Sequence, residues 1–222
     1  VTFSYAHVPS ILPRQKILEN IGFPSAEEKA KMYENAYKKF TEAGYVAIGM
    51  DHFCRPNDEF YLALKNNQLH RNFQGYCTTK TTGQVYGFGA SSISQLFSAY
   101  SQNVKNAAQY IKKINEKNTA VLRGYNLNKN EKIIRDVINS IMCNYYVDFS
   151  EISERFNTNS KNIKEILDFK DEKFDDFLNL NLMRIKNDTV SISHDARLFI
   201  RNIAMEFDPL LNNKVGTYSK TI

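Results

Sequence analysis

Three short stretches of this 222-residue chain gather side chains that can do chemistry. Residues 49–58 read Gly-Met-Asp-His-Phe-Cys-Arg-Pro-Asn-Asp, residues 70–76 read His-Arg-Asn-Phe-Gln-Gly-Tyr, and residues 87–93 read Gly-Phe-Gly-Ala-Ser-Ser-Ile. In the first, the Asp51 carboxylate can orient the His52 imidazole, which suits proton transfer or an anionic substrate. The same pair serves equally as a structural hydrogen bond at a turn. In the second, Phe73 and Tyr76 offer flat faces for stacking on a heteroaromatic ring, while Asn72 and Gln74 can read a base edge or a carboxylate. Arg71 can make a two-pronged contact with a carboxylate. In the third, Gly87 and Gly89 let the backbone approach a ligand closely, although a tight turn explains them as well. The third glycine of a dinucleotide fingerprint is missing.

The remaining candidates are weaker. Cys54, Cys77 and Cys143 lie too far apart in sequence for a zinc or iron–sulfur motif, and their odd number argues against a disulfide framework. His7 and His194 have no neighbouring ligand to pair with. A composition of 42% hydrophobic and 24% charged residues excludes wholesale disorder and allows one large or two small domains. The net charge of +5 suits an anionic ligand, but the charges are scattered rather than clustered, so nucleic acid is not expected as a partner. No apolar run reaches the roughly 18 residues of a membrane span, and no signal peptide is evident. A cytoplasmic protein is the expectation. Starting at Val1 within an apolar run, the chain is expected to be the C-terminal part of something longer.

Several elements must position these residues. Residues 1–8 read as a buried strand. Ser25 and Glu28 form a capping box that opens a helix with Tyr33, Ala36, Tyr37 and Phe40 on one face, ended by Gly44. Residues 45–50 read as a second strand. Strand, helix, strand predicts a parallel βαβ unit, with residues 51 and 52 at the strand's C-terminal end, where parallel α/β folds place their sites. A short helix over 57–65, an extended segment over 71–78 and a stretch punctuated by Gly83, Gly87 and Gly89 follow. Val104, Ala107, Ala108, Ile111 and Ile114 mark an amphipathic helix. A boundary near residue 118 divides a first part, 1–118, from a second, 119–222. The second opens with an Asn128-x-x-Glu131 cap and puts Ile134, Val137, Ile138 and Ile141 inward. Helices over 150–156 and 160–180, a hairpin turning at Asn187-Asp188, and a last helix with Ala196, Phe199, Ile200, Ile203 and Phe207 on one stripe predict a winged-helix-like arrangement.

Taken in order, residues 5–9 (Tyr-Ala-His-Val-Pro), 48–53 (Ile-Gly-Met-Asp-His-Phe), 55–59 (Arg-Pro-Asn-Asp-Glu), 69–76 (Leu-His-Arg-Asn-Phe-Gln-Gly-Tyr) and 87–94 resemble the oxygen-independent coproporphyrinogen III oxidases of the radical S-adenosylmethionine superfamily. Residues 123–127, 135–138 and 197–203 extend the resemblance over nearly the whole chain. It implies the C-terminal portion of a partial (βα)6 barrel, followed by a small helical, winged-helix-like domain. The implied reaction is oxidative decarboxylation of two propionates of coproporphyrinogen III to vinyl groups, giving protoporphyrinogen IX by way of a 5′-deoxyadenosyl radical. Two S-adenosylmethionine molecules per complete enzyme are implied, with Ala6, Ile93, Phe73 and Gln74 at cofactor-contacting positions. Arg71 and His52 are the candidates for substrate contact, and no catalytic residue is assigned. The [4Fe-4S] cluster falls to an upstream half, because Cys-x3-Cys-x2-Cys is absent here. A flavodoxin- or ferredoxin-like electron donor and a monomeric complete enzyme are further implications, and the chain alone is expected to be inactive. Residues 193–195, Ser-His-Asp, depart from the family's pattern at the start of the last helix. A haem-carrying relative without turnover is the alternative, and the string at 70–76 counts against it.

Overall fold

The first strand expected from the sequence does not form. In the computed structural model, which describes residues 1–79 and 84–211, residues 1–8 make no strand pairing, and Phe3 is 84% exposed. Gly83 lies outside the described residues. A fully buried strand needs a partner on each side. Here the backbone tie to a distant element is from the Thr2 amide to the Asp51 carbonyl at 2.7 Å, and the Val8 carbonyl accepts only from the nearby Ile11 and Leu12 amides. The expected parallel pair is therefore absent, and every strand pair among the described residues is antiparallel.

Helix α1 (Ala26–Glu42) begins at the Ser25 capping box, as its sequence requires. It leads to β1 (Val46–Ile48), which turns through Gly49 and pairs with β2 (His52–Cys54). Asp58 caps α2 (Glu59–Lys65). The segment 71–78 is not one extended run but part of a hairpin, β3 (Leu69–Asn72) and β4 (Gly75–Thr78), with Arg71 opposite Tyr76. The reason is local: the Asn72 carboxamide oxygen accepts from the Gln74 amide at 2.9 Å, and Gly75 takes φ +146°, so the chain reverses there.

A three-stranded sheet follows, ordered β5 (Ile93–Gln95), β6 (Ala99–Asn103), β7 (Val121–Asn126), with α3 (Ala107–Lys117) between its last two strands. β7 thus reaches back across residue 118 into the first part. The expected amphipathic helix forms as α3: Val104 just before it is buried and Ile114 half-buried, while Ile111 is 59% exposed and Ala107 and Ala108 are exposed too.

Helix α4 (Lys129–Asn144) carries the second part's core. It is capped by the predicted Asn128–Glu131 box and buries Ile133, Ile134, Val137 and Ile141. Around it lie a sheet ordered β8 (Tyr146–Asp148), β10 (Thr189–Ile192), β9 (Met183–Lys186) and helices α5 (Phe149–Arg155), α6 (Ser160–Ile166), α7 (Asp175–Asn179) and α8 (Ile200–Met205). The hairpin at Asn187-Asp188 forms as expected, with Asn187 at φ +55°. The single helix expected over 160–180 is broken instead. Asp168 adopts φ +46°, held there by Lys170 and Lys173, and a 3₁₀ turn (Asp171–Phe174) intervenes. The last helix also starts as 3₁₀ (His194–Phe199). Ala196, Ile200, Ile203 and Phe207 form its buried face, which leaves Phe199 49% exposed at the edge.

Phe169, Phe174 and Phe207 close the core of the second part, with Phe174 and Phe207 ring centroids 4.8 Å apart and neither ring exposed. Phe174→Ala is expected to cost about 3–5 kcal/mol, read as a lower urea midpoint at unchanged slope. A loss below about 1 kcal/mol would contradict this packing.

Candidate functional site

The site is built on the turn that joins β1 to β2. Gly49 sits there at φ +58°, and a Cβ at that position would lie 1.8 Å from the Tyr76 hydroxyl oxygen, so only glycine admits the phenol. Three tyrosines from distant elements clamp this turn. Tyr145, at the C-cap of α4, donates to the Gly49 carbonyl at 2.9 Å. Tyr33 of α1 donates to the Met50 carbonyl at 2.8 Å. The Tyr76 phenol reaches the same turn, its oxygen over Gly49. Burial pushes the Tyr76 phenol up to about 12, against the opposing effect of Arg71, and burial likewise raises Tyr145. Tyr76 and Tyr145 are therefore neutral at physiological pH.

Asp51 and His52 follow directly. The Asp51 carboxylate meets His52 Nδ1 at 2.6 Å, leaving Nε2 as the available nitrogen. The His52 ring meets Tyr76 edge-on at 4.9 Å, and its Nε2 is 3.8 Å from where a Cβ at Gly75 would stand. Arg71 reaches the same phenol from across the hairpin, with its guanidinium 5.1 Å above the ring and Nη1 3.4 Å from the hydroxyl. No ion pair joins Arg71 to a carboxylate among the described residues. The structure therefore brings His52 and Arg71 to one tyrosine, which the sequence did not indicate.

The tip of the hairpin is the second part of the site. Phe73 is 45% exposed and Gln74 is exposed, so an aromatic face and an amide project together. Their backbone is fixed: the Phe73 amide donates to Gln95 Oε1 at 3.1 Å, and Gln95 itself is only 8% exposed. Gln95 lies two residues along β5 from Ile93, so Phe73, Gln74 and Ile93 belong to one neighbourhood. Gly87 packs against Ile93 so closely that a Cβ would come within 2.7 Å of the Ile93 carbonyl oxygen. Ala6 stands apart. It belongs to the N-terminal segment, where the Gln15 carboxamide donates to the Ala6 carbonyl at 3.0 Å and accepts from the Val8 amide at 2.7 Å. Among the described residues, no hydrogen bond or ring contact joins Ala6 to the hairpin.

The cysteines do not gather. Burial raises the thiols of Cys54 and Cys77 and pushes fully buried Cys143 up to about 12, which disfavours the thiolate form of each. Among the described residues, no group of three or more His, Cys, Asp or Glu can hold a metal ion. Nor is any described helix long and apolar enough to cross a membrane.

His70 faces the other side of the hairpin. It lines a cleft of about 200 Å³ with Asp136, Asn144, Asp148 and Arg155. Burial holds its imidazole below the ordinary 6.5, with Asp136 opposing and Arg135 and Arg155 reinforcing the shift. The unfolded chain then takes up the proton more readily than the folded one. Stability is full above about pH 6.5 and falls as pH drops below it. The urea midpoint should decrease between about pH 7 and pH 5, and His70→Gln should flatten that slope. A slope unchanged in the variant would contradict the assignment.

No protein-family model matches the chain. Oxygen-independent coproporphyrinogen III oxidases from Salmonella typhimurium and Escherichia coli are each 35% identical to it, over 96% of this chain and 46% of their own length. The chain thus spans about half the length of these relatives. The corresponding protein of Thermostichus vulcanus is 34% identical over 99% of this chain and 67% of its own. Among solved structures, coproporphyrinogen III oxidase from Escherichia coli, described as a radical SAM enzyme, matches with a TM-score of 0.84 at 34% identity. That match covers 93% of this chain and 46% of the other. The fold is accordingly a C-terminal portion of that enzyme's fold, of mixed α/β content and without a closed barrel among the described residues.

Proposed function

The chain belongs to the oxygen-independent coproporphyrinogen III oxidase family, and on that premise we propose that it works as the C-terminal part of an enzyme that decarboxylates coproporphyrinogen III. Two propionates become vinyl groups, and the product is protoporphyrinogen IX. The observation that carries this reading is the hairpin tip, where exposed Phe73 is held through its amide by Gln95 of the strand bearing Ile93 and exposed Gln74 through its amide by Asn72.

Those residues fit S-adenosylmethionine. The Phe73 ring can stack on an adenine, the Gln74 carboxamide can pair with its edge, and Ile93 supplies an apolar wall. Ala6, which lies apart from the hairpin, is assigned a separate cofactor contact, and the complete enzyme holds two such molecules. When bound, S-adenosylmethionine supplies the radical that removes hydrogen from the propionate. What this chain's own residues do is bind and orient. The half-buried Arg71 guanidinium and the His52 imidazole receive carboxylate groups of the substrate, which is rich in them.

The three dispersed cysteines do not fit a [4Fe-4S] cluster, so its ligands belong to the part of the relatives' length that this chain does not span. The electron donor is a flavodoxin- or ferredoxin-like protein, and the complete enzyme is a cytoplasmic monomer. The division into 1–118 and 119–222 belongs to the same reading, with β7 as the strand that ties the two parts together.

The test is anaerobic turnover by the complete protein containing this chain, supplied with coproporphyrinogen III, S-adenosylmethionine and a reductant. Both 5′-deoxyadenosine and protoporphyrinogen IX are expected. Phe73→Ala and Gln74→Ala should each lower the rate by roughly 10–100-fold, through loss of cofactor orientation. Cofactor cleavage without porphyrinogen conversion would make the substrate wrong. Tight haem binding without cleavage would replace the enzyme reading by a carrier.

A further inference from the structure

Resting on that reading of Arg71 and His52, we propose that Tyr76 is a positioning residue that sets both groups for a porphyrinogen carboxylate, with Gly49 as the notch that seats its phenol. Three observations support this. First, the place of the phenol is dictated by backbone. Its oxygen occupies space that any side chain at residue 49 would fill, so the ring rests directly on the clamped turn. Second, Arg71 and His52 have this phenol in common. The guanidinium lies over its face and touches its oxygen, while the imidazole abuts its edge.

Third, the two groups are each left with something to offer. His52 has Nδ1 committed to Asp51 and Nε2 available. Arg71 is half-buried, with a neutral phenol rather than a carboxylate beside it among the described residues. A guanidinium withdrawn from water without an anion is costly, and a substrate carboxylate removes that cost. A purely structural arginine would more usually be partnered within the fold. A neutral tyrosine suits this position because it orients the fork by cation–π and hydrogen-bond contact without neutralising the charge that the ligand needs.

The test uses the complete protein and reads equilibrium binding, by fluorescence, of coproporphyrin III, a stable tetracarboxylate. Tyr76→Phe keeps the ring and removes the oxygen. The Kd for coproporphyrin III should rise about tenfold while the Kd for S-adenosylmethionine stays within about twofold. Arg71→Gln should weaken coproporphyrin III binding at least as much, and the double variant should lose less than the sum of the two. An unchanged coproporphyrin III Kd in Tyr76→Phe, with a weakened one in Arg71→Gln, overturns the role of Tyr76 but leaves Arg71 as a substrate contact. Equal weakening toward both ligands also overturns it, because that is the mark of a general structural defect. Should Tyr76→Phe fail to fold, Arg71→Lys carries the same test, since it keeps the charge but loses the fork that meets the phenol. An unchanged Kd there overturns the proposal. Binding is the readout, so failure of the proposed reaction would appear separately, as absent turnover by the unsubstituted enzyme.

Discussion

Three phenols converge on two consecutive residues, Gly49 and Met50, and the rest of the molecule is arranged around that convergence. Tyr33 brings α1, Tyr76 brings the β3–β4 hairpin, and Tyr145 brings the end of α4. Tyr145 and Tyr33 satisfy the Gly49 and Met50 carbonyls, and Tyr76 fills the space over Gly49, which makes the clamp costly to open. Because Tyr145 caps α4, the same contact couples the site to the core of the second part. α4 then extends its hold. Asn144 donates to the Leu69 carbonyl at the base of the hairpin, and Arg135 donates to the Leu96 and Phe97 carbonyls just beyond β5. Hairpin and β5 are thus pinned to one helix, and Gln95 closes the remaining gap between them. Arg197 adds a further tie, its guanidinium stacked 3.6 Å from the Tyr37 ring of α1.

This arrangement explains how a site with an exposed working surface stays defined. The tip residues Phe73 and Gln74 project from a two-residue turn, a position that tolerates motion in most hairpins. Here both backbone amides of the tip are taken, one by Gln95 and one by Asn72, so the side chains alone remain free to meet a ligand. Preorganisation of this kind lowers the entropy lost on binding. On the inner side of the hairpin the same principle acts through charge. A neutral phenol stands between a guanidinium and an imidazole, so neither group is quenched by it.

Much of this is legible in the sequence. Both capping boxes, the Asn187-Asp188 turn and the inward face of α4 follow from local chemistry and form as expected. The strings at 49–58 and 70–76 mark places where polar and ring-bearing residues gather. What escapes sequence reasoning is long-range. No periodicity links Tyr145 to Gly49, 96 residues earlier, nor Gln95 to Phe73, 22 residues earlier. The expected strand at 1–8 fails because an apolar run does not reveal whether neighbours exist to pair with it, and the same gap explains the exposed Ile111 of α3. The break at Asp168 is hidden because an aspartate in left-handed conformation is stabilised by Lys170 and Lys173, whose role emerges only once the chain has turned. Gly49 does carry a signal, a glycine at the end of an apolar strand, but the phenol it accommodates comes from another element.

The most direct measurement is a crystal structure of the complete protein with S-adenosylmethionine and coproporphyrin III bound. The cofactor's adenine is expected against Phe73 and Gln74 with Ile93 alongside, and a porphyrin carboxylate on Arg71 while Tyr76 keeps its place over Gly49. A cofactor bound away from the hairpin tip, or an Arg71 turned from the ligand, would contradict this reading of the site.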